Sequence, residues 1–274
     1  MRTDNVPDPA VDAAATFIGN ATVLLRLGAF TLLTDPNFLH AGQRAYLGHG
    51  MWSKRRTDPA LTPQQLPPLD GVVLSHLHGD HFDRVARRGL PRDMPFVTTR
   101  SAGRRLRKWR FNETVGLSTW QNVVWRRGGE TVRITAVPAQ HGPALVYRAL
   151  PETMGTVIDW ERDGHRRLRL YITGDTLFRP EVLGEIPERF GDIDAALVHL
   201  GGTRILGVLL TMDGRDGAAL SRLVRPRSIL PIHHDEYPVQ RDPLANFLRL
   251  SDGLPVRAMA RGETVDLTVV SGVR

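Results

Sequence analysis

The sequence predicts an α+β fold in which two mixed β-sheets pack on each other with helices on the outside. Three observations point there: many short apolar runs of strand length, a few amphipathic helical stretches scattered among them, and enough chain for a large core. The 274 residues, 41% of them hydrophobic, lie within the size that layered folds reach as one domain. The 26 glycines and 19 prolines are spread along the chain, and no Ser/Gly-rich or like-charge run separates two cores. One domain over residues 1–274 is therefore expected.

Taken in order, residues 14–18, 21–27 and 30–36 read as strands, with a tight turn at Gly28. Residues 40–68 are rich in Gly, Pro and His and read as a long loop, of a length that in compact domains is usually functional or disordered. His40, His49 and Trp52 fall there and are expected at the surface. A short, fully apolar strand follows at 72–74. Further strands are expected near 95–98, 122–126, 131–137, 155–160, 168–173, 194–199, 228–232, 255–259 and 264–270. Helices are expected near 101–110, 180–189, 213–224 and 242–250, with Asp213 capping the third. His165 falls at a hairpin turn.

Composition narrows the chemistry. With no cysteine, disulfides, thiolate ligands and a Cys nucleophile are excluded, so any metal site must be built from His, Asp and Glu. The net charge of +7 is almost all arginine, since only Lys54 and Lys108 are lysines, and codon preference explains that as readily as an anionic partner. The densest basic stretch, 100–110, places Leu106 and Trp109 at helical spacing. It reads as a helix with one buried stripe and a solvated face, and no nucleic-acid partner is expected. No apolar run approaches the ~20 residues needed to span a bilayer, and the N-terminus has no signal-peptide core. A soluble cytoplasmic protein without a transmembrane segment is the expectation.

The informative string is His76-Leu77-His78-Gly79-Asp80-His81, directly after the apolar strand. In extended chain, residues two apart point to the same side, so His76 and His78 can offer imidazoles to one ion. Asp80 and His81 then lie where the chain turns, with Asp80 a candidate cap for a following helix. Three histidines and an aspartate within six residues at the end of a buried strand are hard to explain by packing, because each buried polar group needs a partner.

His-x-His-x-Asp-His after a strand resembles the signature of the metallo-β-lactamase superfamily. His141 in PAQHGP, Asp175 in LYITGDT and His233 in LPIHHDEY resemble its remaining ligand positions, in the same order. The lead-in FIGNATVLLRLGAFTLLTDP, with Asp35, resembles the family's first strands. Within the superfamily the chain is similar to the branch containing ascorbate-phosphate lactonase and the phospholipase D that cleaves N-acyl phosphatidylethanolamines.

This resemblance implies a four-layer αβ/βα sandwich and a metal-dependent hydrolase. It implies one ion held by His76, His78 and His141, a second held by Asp80, His81 and His233, and Asp175 bridging them. Imidazole and carboxylate donors suit Zn²⁺ first, with Mn²⁺ or Fe²⁺ fitting the same set. A bridging hydroxide would then attack an ester, lactone or phosphodiester of a small or lipid-like substrate. The alternatives are a nuclease on the same fold and a non-catalytic metal-binding protein.

The candidate catalytic residues are Asp80 and His199. His199, in ALVHLGG, departs from the branch's pattern, being a partner behind a ligand, a proton donor or a hydrogen-bonded core histidine. Gly79 and Gly174, beside ligands, permit close backbone approach or serve as ordinary turn glycines. His234, Asp235 and Tyr237 are expected in a solvated loop. Oligomeric state is not legible in the sequence.

Overall fold

The computed structural model describes residues 11–143 and 150–268. Its first half supplies β1 (Ala13–Gly19), β2 (Thr22–Leu27), β3 (Phe30–Thr34), a small hairpin of β4 (Arg44–Tyr46) and β5 (Trp52–Lys54), then β6 (Gly71–Val73), β7 (Phe96–Thr99) and β8 (Thr114–Leu117). The second half supplies β9 (Asn122–Arg127), β10 (Glu130–Val137), β11 (Gly155–Arg162), β12 (His165–Ile172), β13 (Ala195–His199), a second small hairpin of β14 (Arg204–Ile205) and β15 (Val208–Leu209), β16 (Ser228–Ile232) and β17 (Thr264–Asp266).

Two mixed sheets result. One runs β17-β1-β2-β3-β6-β7-β8, antiparallel as far as β3 and parallel beyond it. The other runs β16-β13-β12-β11-β10-β9, parallel from β16 to β12 and antiparallel beyond.

Period-two alternation explains the layering. In β2, Val23, Leu25 and Leu27 point between the sheets, where they meet Ile134, Ile158, Trp160 and Leu170 of the second sheet. Leu24 points the other way, into a cluster with Leu33, Val72, Phe96, Ala86 and Leu106 that seats the helices Arg84–Gly89 and Arg100–Lys108. On the far face, Tyr171, Ala196, Val198 and Ile229 pack on Leu183, Ile186, Leu220, Val224 and Phe247 of the helices Pro180–Leu183, Glu185–Phe190, Gly214–Val224 and Leu244–Leu250. The order is helices, sheet, sheet, helices, as expected.

Several local expectations change. The 40–68 stretch holds the β4–β5 hairpin, and its Arg55 is buried beside Glu236. The helix after the histidine string is capped by Asp83 rather than Asp80: one Asp83 oxygen accepts from the backbone N–H of Val85 and Ala86, each at 2.7 Å. Asp213 does cap Gly214–Val224. In place of a strand at 255–259 there is a single bridge from Val256 to Ile229. Tyr237 is fully buried, with its hydroxyl donating to Asn37 Oδ1 at 2.9 Å, instead of sitting in a solvated loop.

Candidate metal centre

Strand ends converge to build the site. His76 and His78 follow β6, His141 follows β10, Asp175 follows β12, His199 ends β13 and His233 follows β16. All seven expected ligands are buried. Three groups have donor atoms within 4.8 Å of one another: His76, His78 and His141; His76, His81 and Asp175; and Asp80, His81 and His233. A fourth such group joins Asp35, His81 and His199.

Backbone conformation places these side chains. His233 sits at φ 58° and Asp35 at φ 34°, conformations that L-residues adopt rarely and that surrounding structure must hold in place. Gly79 and Gly174 both serve close approach: a Cβ would meet the Tyr46 backbone at 2.7 Å in the first case and Met154 O at 2.5 Å in the second.

Nitrogen atoms crowd one side of the cluster. His78 Nδ1 lies 2.9 Å from His76 Nε2 and 3.2 Å from His141 Nε2. His141 Nδ1 donates to Leu210 O at 3.0 Å, which fixes its tautomer and leaves Nε2 as a lone-pair donor. His233 Nδ1 is 3.2 Å from Leu200 O, and its Nε2 is 3.3 Å from Asp80 Oδ2. Asp175 lies among them: Oδ2 is 3.3 Å from His81 Nε2 and 3.9 Å from both His76 Nε2 and His141 Nε2, while Oδ1 is 3.6 Å from His233 Nδ1.

Behind the cluster, Asp35 organises its back wall. Its carboxylate accepts from Ser75 N at 2.7 Å and Ser75 Oγ at 2.9 Å, and meets His81 Nδ1 at 3.0 Å. His199 stacks on His81 at 5.9 Å with planes 10° apart, its Nε2 3.5 Å from Asp35 and its Nδ1 3.2 Å from Thr173 Oγ1. His199 is fully buried there and is not among the residues lining the mouth.

Electrostatics split the histidines into two kinds. Burial, reinforced by neighbouring imidazoles, holds His76 well below the usual histidine range and His78 at about 3, and burial also lowers His141 and His199. Burial opposes charge at His81 and His233 as well, but the surrounding carboxylates outweigh it and raise both, Asp175 foremost. The same attraction overcomes burial at the acids: Asp35 falls to about 2 beside His81 and His199, and Asp80 and Asp175 are also lowered.

The donor set fits divalent metal. His78 Nε2, Asp80 Oδ1, His81 Nε2 and Asp175 Oδ1 are all buried without a hydrogen-bond partner among the described residues. Buried polar atoms are rarely left so, because each costs roughly 1–3 kcal/mol. Four orphans converging in one nitrogen- and carboxylate-rich cluster are what cation ligands look like when seen as protein atoms alone. The mouth above them is lined by Leu47, Leu150, Thr203, Ile205 and Leu210.

Sequence reasoning passed over the polar network that props this loop. Asn20 Nδ2 donates to Asp80 O at 2.7 Å, and Gln240 Nε2 donates to Asn20 Oδ1 at 2.9 Å. Asn37 Nδ2 donates to Gly79 O at 3.1 Å and to Asp83 Oδ2 at 3.0 Å. Lone amides far apart in sequence carry no spacing signal.

Such a cluster at the strand ends of a four-layer sandwich defines the metallo-β-lactamase class, and residues 31–234 match the beta-lactamase superfamily domain. The chain belongs to that superfamily. It is 28% identical over 82% of its length to the N-acyl-phosphatidylethanolamine-hydrolyzing phospholipase D 1 of Caenorhabditis elegans, of whose length it spans 64%. It is 25% identical over 92% of its length to a UPF0173 metal-dependent hydrolase of Pyrococcus furiosus, covering 98% of that protein. Among solved structures, isothiocyanate hydrolase from Delia radicum gut bacteria superposes with a TM-score of 0.75 at 22% identity, over 92% of this chain and 98% of that one, a likeness of fold.

Proposed function

We propose that this protein is a hydrolase using two divalent metal ions, Zn²⁺ foremost, to cleave an ester, lactone or phosphodiester bond in a small or lipid-like substrate. The observation that carries this reading is the convergence of seven buried donors, four with orphaned atoms, around the Asp175 carboxylate. His76, His78 and His141 would hold one ion; Asp80, His81 and His233 the other; and Asp175, in contact with histidines of both groups, would lie between them. Such ions, when bound, act as Lewis acids and make water a nucleophile near neutral pH.

The protein's own contribution is positioning. Burial keeps His76, His78 and His141 neutral and therefore ready to donate lone pairs. Asp35 orients His81 through Nδ1, and the Leu210 and Leu200 carbonyls orient His141 and His233. Asp80 lines the mouth and is the residue placed to take a proton beside the substrate. His199 lies behind His81 and acts through Asp35 and His81 as a positioning residue. A phosphodiester is the bond favoured within this range, in keeping with the activity named for the nematode relative.

Elemental analysis of purified protein tests the ligand assignment. The expected content is about two ions per chain, since seven donors exceed one tetrahedral shell. Asp175→Ala should lower both occupancies and His141→Ala chiefly one; a reproducible single ion in the parent protein overturns the two-ion reading. Wild type beside His76→Ala/His78→Ala on aryl phosphodiesters, lactones, aryl esters and single-stranded DNA tests the chemistry. Cleavage confined to DNA would make it a nuclease.

A further inference from the structure

Six large hydrophobic side chains are exposed among the described residues, and four of them, Tyr46, Trp52, Leu206 and Val208, lie on the two small hairpins. Both hairpins border the mouth of the metal centre, to which they contribute Leu47 and Ile205. Tyr46 and Trp52 face each other across β4–β5 with ring centroids 4.8 Å apart, and Trp52 is 59% exposed. Leu206 occupies the turn between β14 and β15 and is 99% exposed. A side chain so fully outside does not cover the mouth; it points away from the protein. Solvent-facing apolar groups gathered on two loop tips around one opening mark a docking surface.

Charge selects the partner. The two hairpins, residues 44–54 and 204–209, contain no Asp or Glu; the nearest acids in sequence are Asp58, which meets His40 at 3.2 Å, and Asp213. Arg44, Lys54 and Arg204 are exposed there and Arg56 just beyond β5, Arg204 keeping one loose pairing with Asp213 at 3.8 Å. Beside the first hairpin, Leu77, Phe82 and Trp109 floor an apolar cleft of about 230 Å³ whose rim carries Arg44 and Arg84. Aromatic and aliphatic tips set among cations suit a membrane interface, where apolar groups enter the acyl boundary and basic groups meet anionic headgroups. A second copy of this chain would oppose one cationic face with another, which disfavours self-association.

We propose that this face docks on an anionic lipid bilayer, with Trp52 and Leu206 entering the interface and Arg44, Lys54, Arg56 and Arg204 facing the headgroups. Docking needs no turnover and so stands apart from the hydrolase reading. Where both hold, the mouth opens onto the bilayer and takes its substrate from the lipid phase.

Vesicle co-sedimentation of the full chain tests it, using phosphatidylcholine alone and phosphatidylcholine mixed with phosphatidylglycerol. Wild type should partition onto the mixed vesicles, more weakly at high salt, and little onto the neutral ones. Trp52→Thr/Leu206→Asn should lower that partitioning at least about tenfold, since buried apolar area sets much of interfacial affinity. Leu206→Asn alone, at a position with φ 49° that suits Asn, should lower it in part with an unchanged melting temperature. Lys54→Gln/Arg56→Gln should weaken binding to the mixed vesicles and flatten its salt dependence.

No binding by wild type, or equal binding by the double variant, overturns the proposal. So does a wild-type dimer that the double variant converts to monomer, which would make this face an interface between copies. Turnover of a soluble aryl phosphodiester should be the same in wild type and double variant. Vesicle binding without any hydrolysis would sink the enzymatic reading alone, and hydrolysis without vesicle binding would sink the docking alone.

Discussion

The two ends of the sandwich contrast in what they leave unsatisfied. At the C-terminal ends of β6, β12 and β13, buried nitrogens and carboxylate oxygens lack hydrogen-bond partners among the described residues, and just past β16 the backbone takes positive φ at His233. At the other end lies a cavity of about 570 Å³, lined by Phe30, Asp70, Glu113, Trp125, Arg126 and Arg127. Its charges are better settled: Arg127 meets Asp70 at 2.5 Å, and Glu130 nearby accepts from Ala29 N, Trp160 Nε1 and Arg162 Nε. The cavity of about 570 Å³ lies where strands begin, while the buried nitrogen and carboxylate donors gather where strands end and loops can hold them.

The strongest way to break this contrast is to damage each end in turn. His76→Ala/His78→Ala should empty the first ion position and remove several kcal/mol of transition-state stabilisation, on the order of a thousandfold or more in kcat. Arg126→Ala and Asp70→Asn, at the wide cavity, should leave metal content and turnover at wild-type levels. Abolished turnover in Arg126→Ala with metal intact would place chemistry at the wrong end.

Stability should show the reverse ranking. Trp160 is fully buried between the sheets near the wide-cavity end, and Trp160→Ala should cost about 3–5 kcal/mol in denaturant unfolding. Loss below 1 kcal/mol, roughly the cost of a surface change, would mean that this end is not held by its core.

A finer test concerns support without ligation. Asp35→Asn keeps the shape but removes the charge that orients His81, so metal affinity or activity should fall about 10–100-fold. A titration of metal against the variant separates weakened affinity from slowed turnover; no change in either would remove Asp35 from the machinery.

The smallest effect is expected at Glu130, whose three hydrogen bonds and the Arg162 cation outweigh burial and hold its carboxyl below the usual 4.5. A depressed folded value means the contribution is present above 4.5 and lost as pH falls through the lower folded value. The melting-temperature gap between wild type and Glu130→Gln should thus be widest near neutrality and close in acid. A gap constant across that range would contradict the assignment.

Legibility followed how local the determinants are. The layered fold could be read because the apolar runs of strands such as β2 and β13 are written in consecutive residues. Of the buried donors that the structure brings together, His76, His78, Asp80 and His81 stand in one string whose spacing is legible, whereas His141, Asp175 and His233 are expected only through the family resemblance. Strands of two to four residues such as β4, β5, β8, β14 and β15 were missed, since tertiary contacts rather than propensity define them. Asp80 was mistaken for a cap because Asp83 supplies the same chemistry three residues later. Tyr237 and Arg55 looked like loop residues, and only the folded chain supplies Asn37 and Glu236 as their partners.

One feature of the centre bears on how the protein comes into being. Its ligands are contributed from His76 to His233, so no contiguous piece of the nascent chain contains both three-donor groups until residue 233 has left the ribosome. Contacts of such long sequence separation carry a large loop-closure cost and slow folding. On the two-ion reading proposed above, loading of both positions would follow release of residue 233, and a chain truncated before it would carry the histidine-rich string without the second three-donor group.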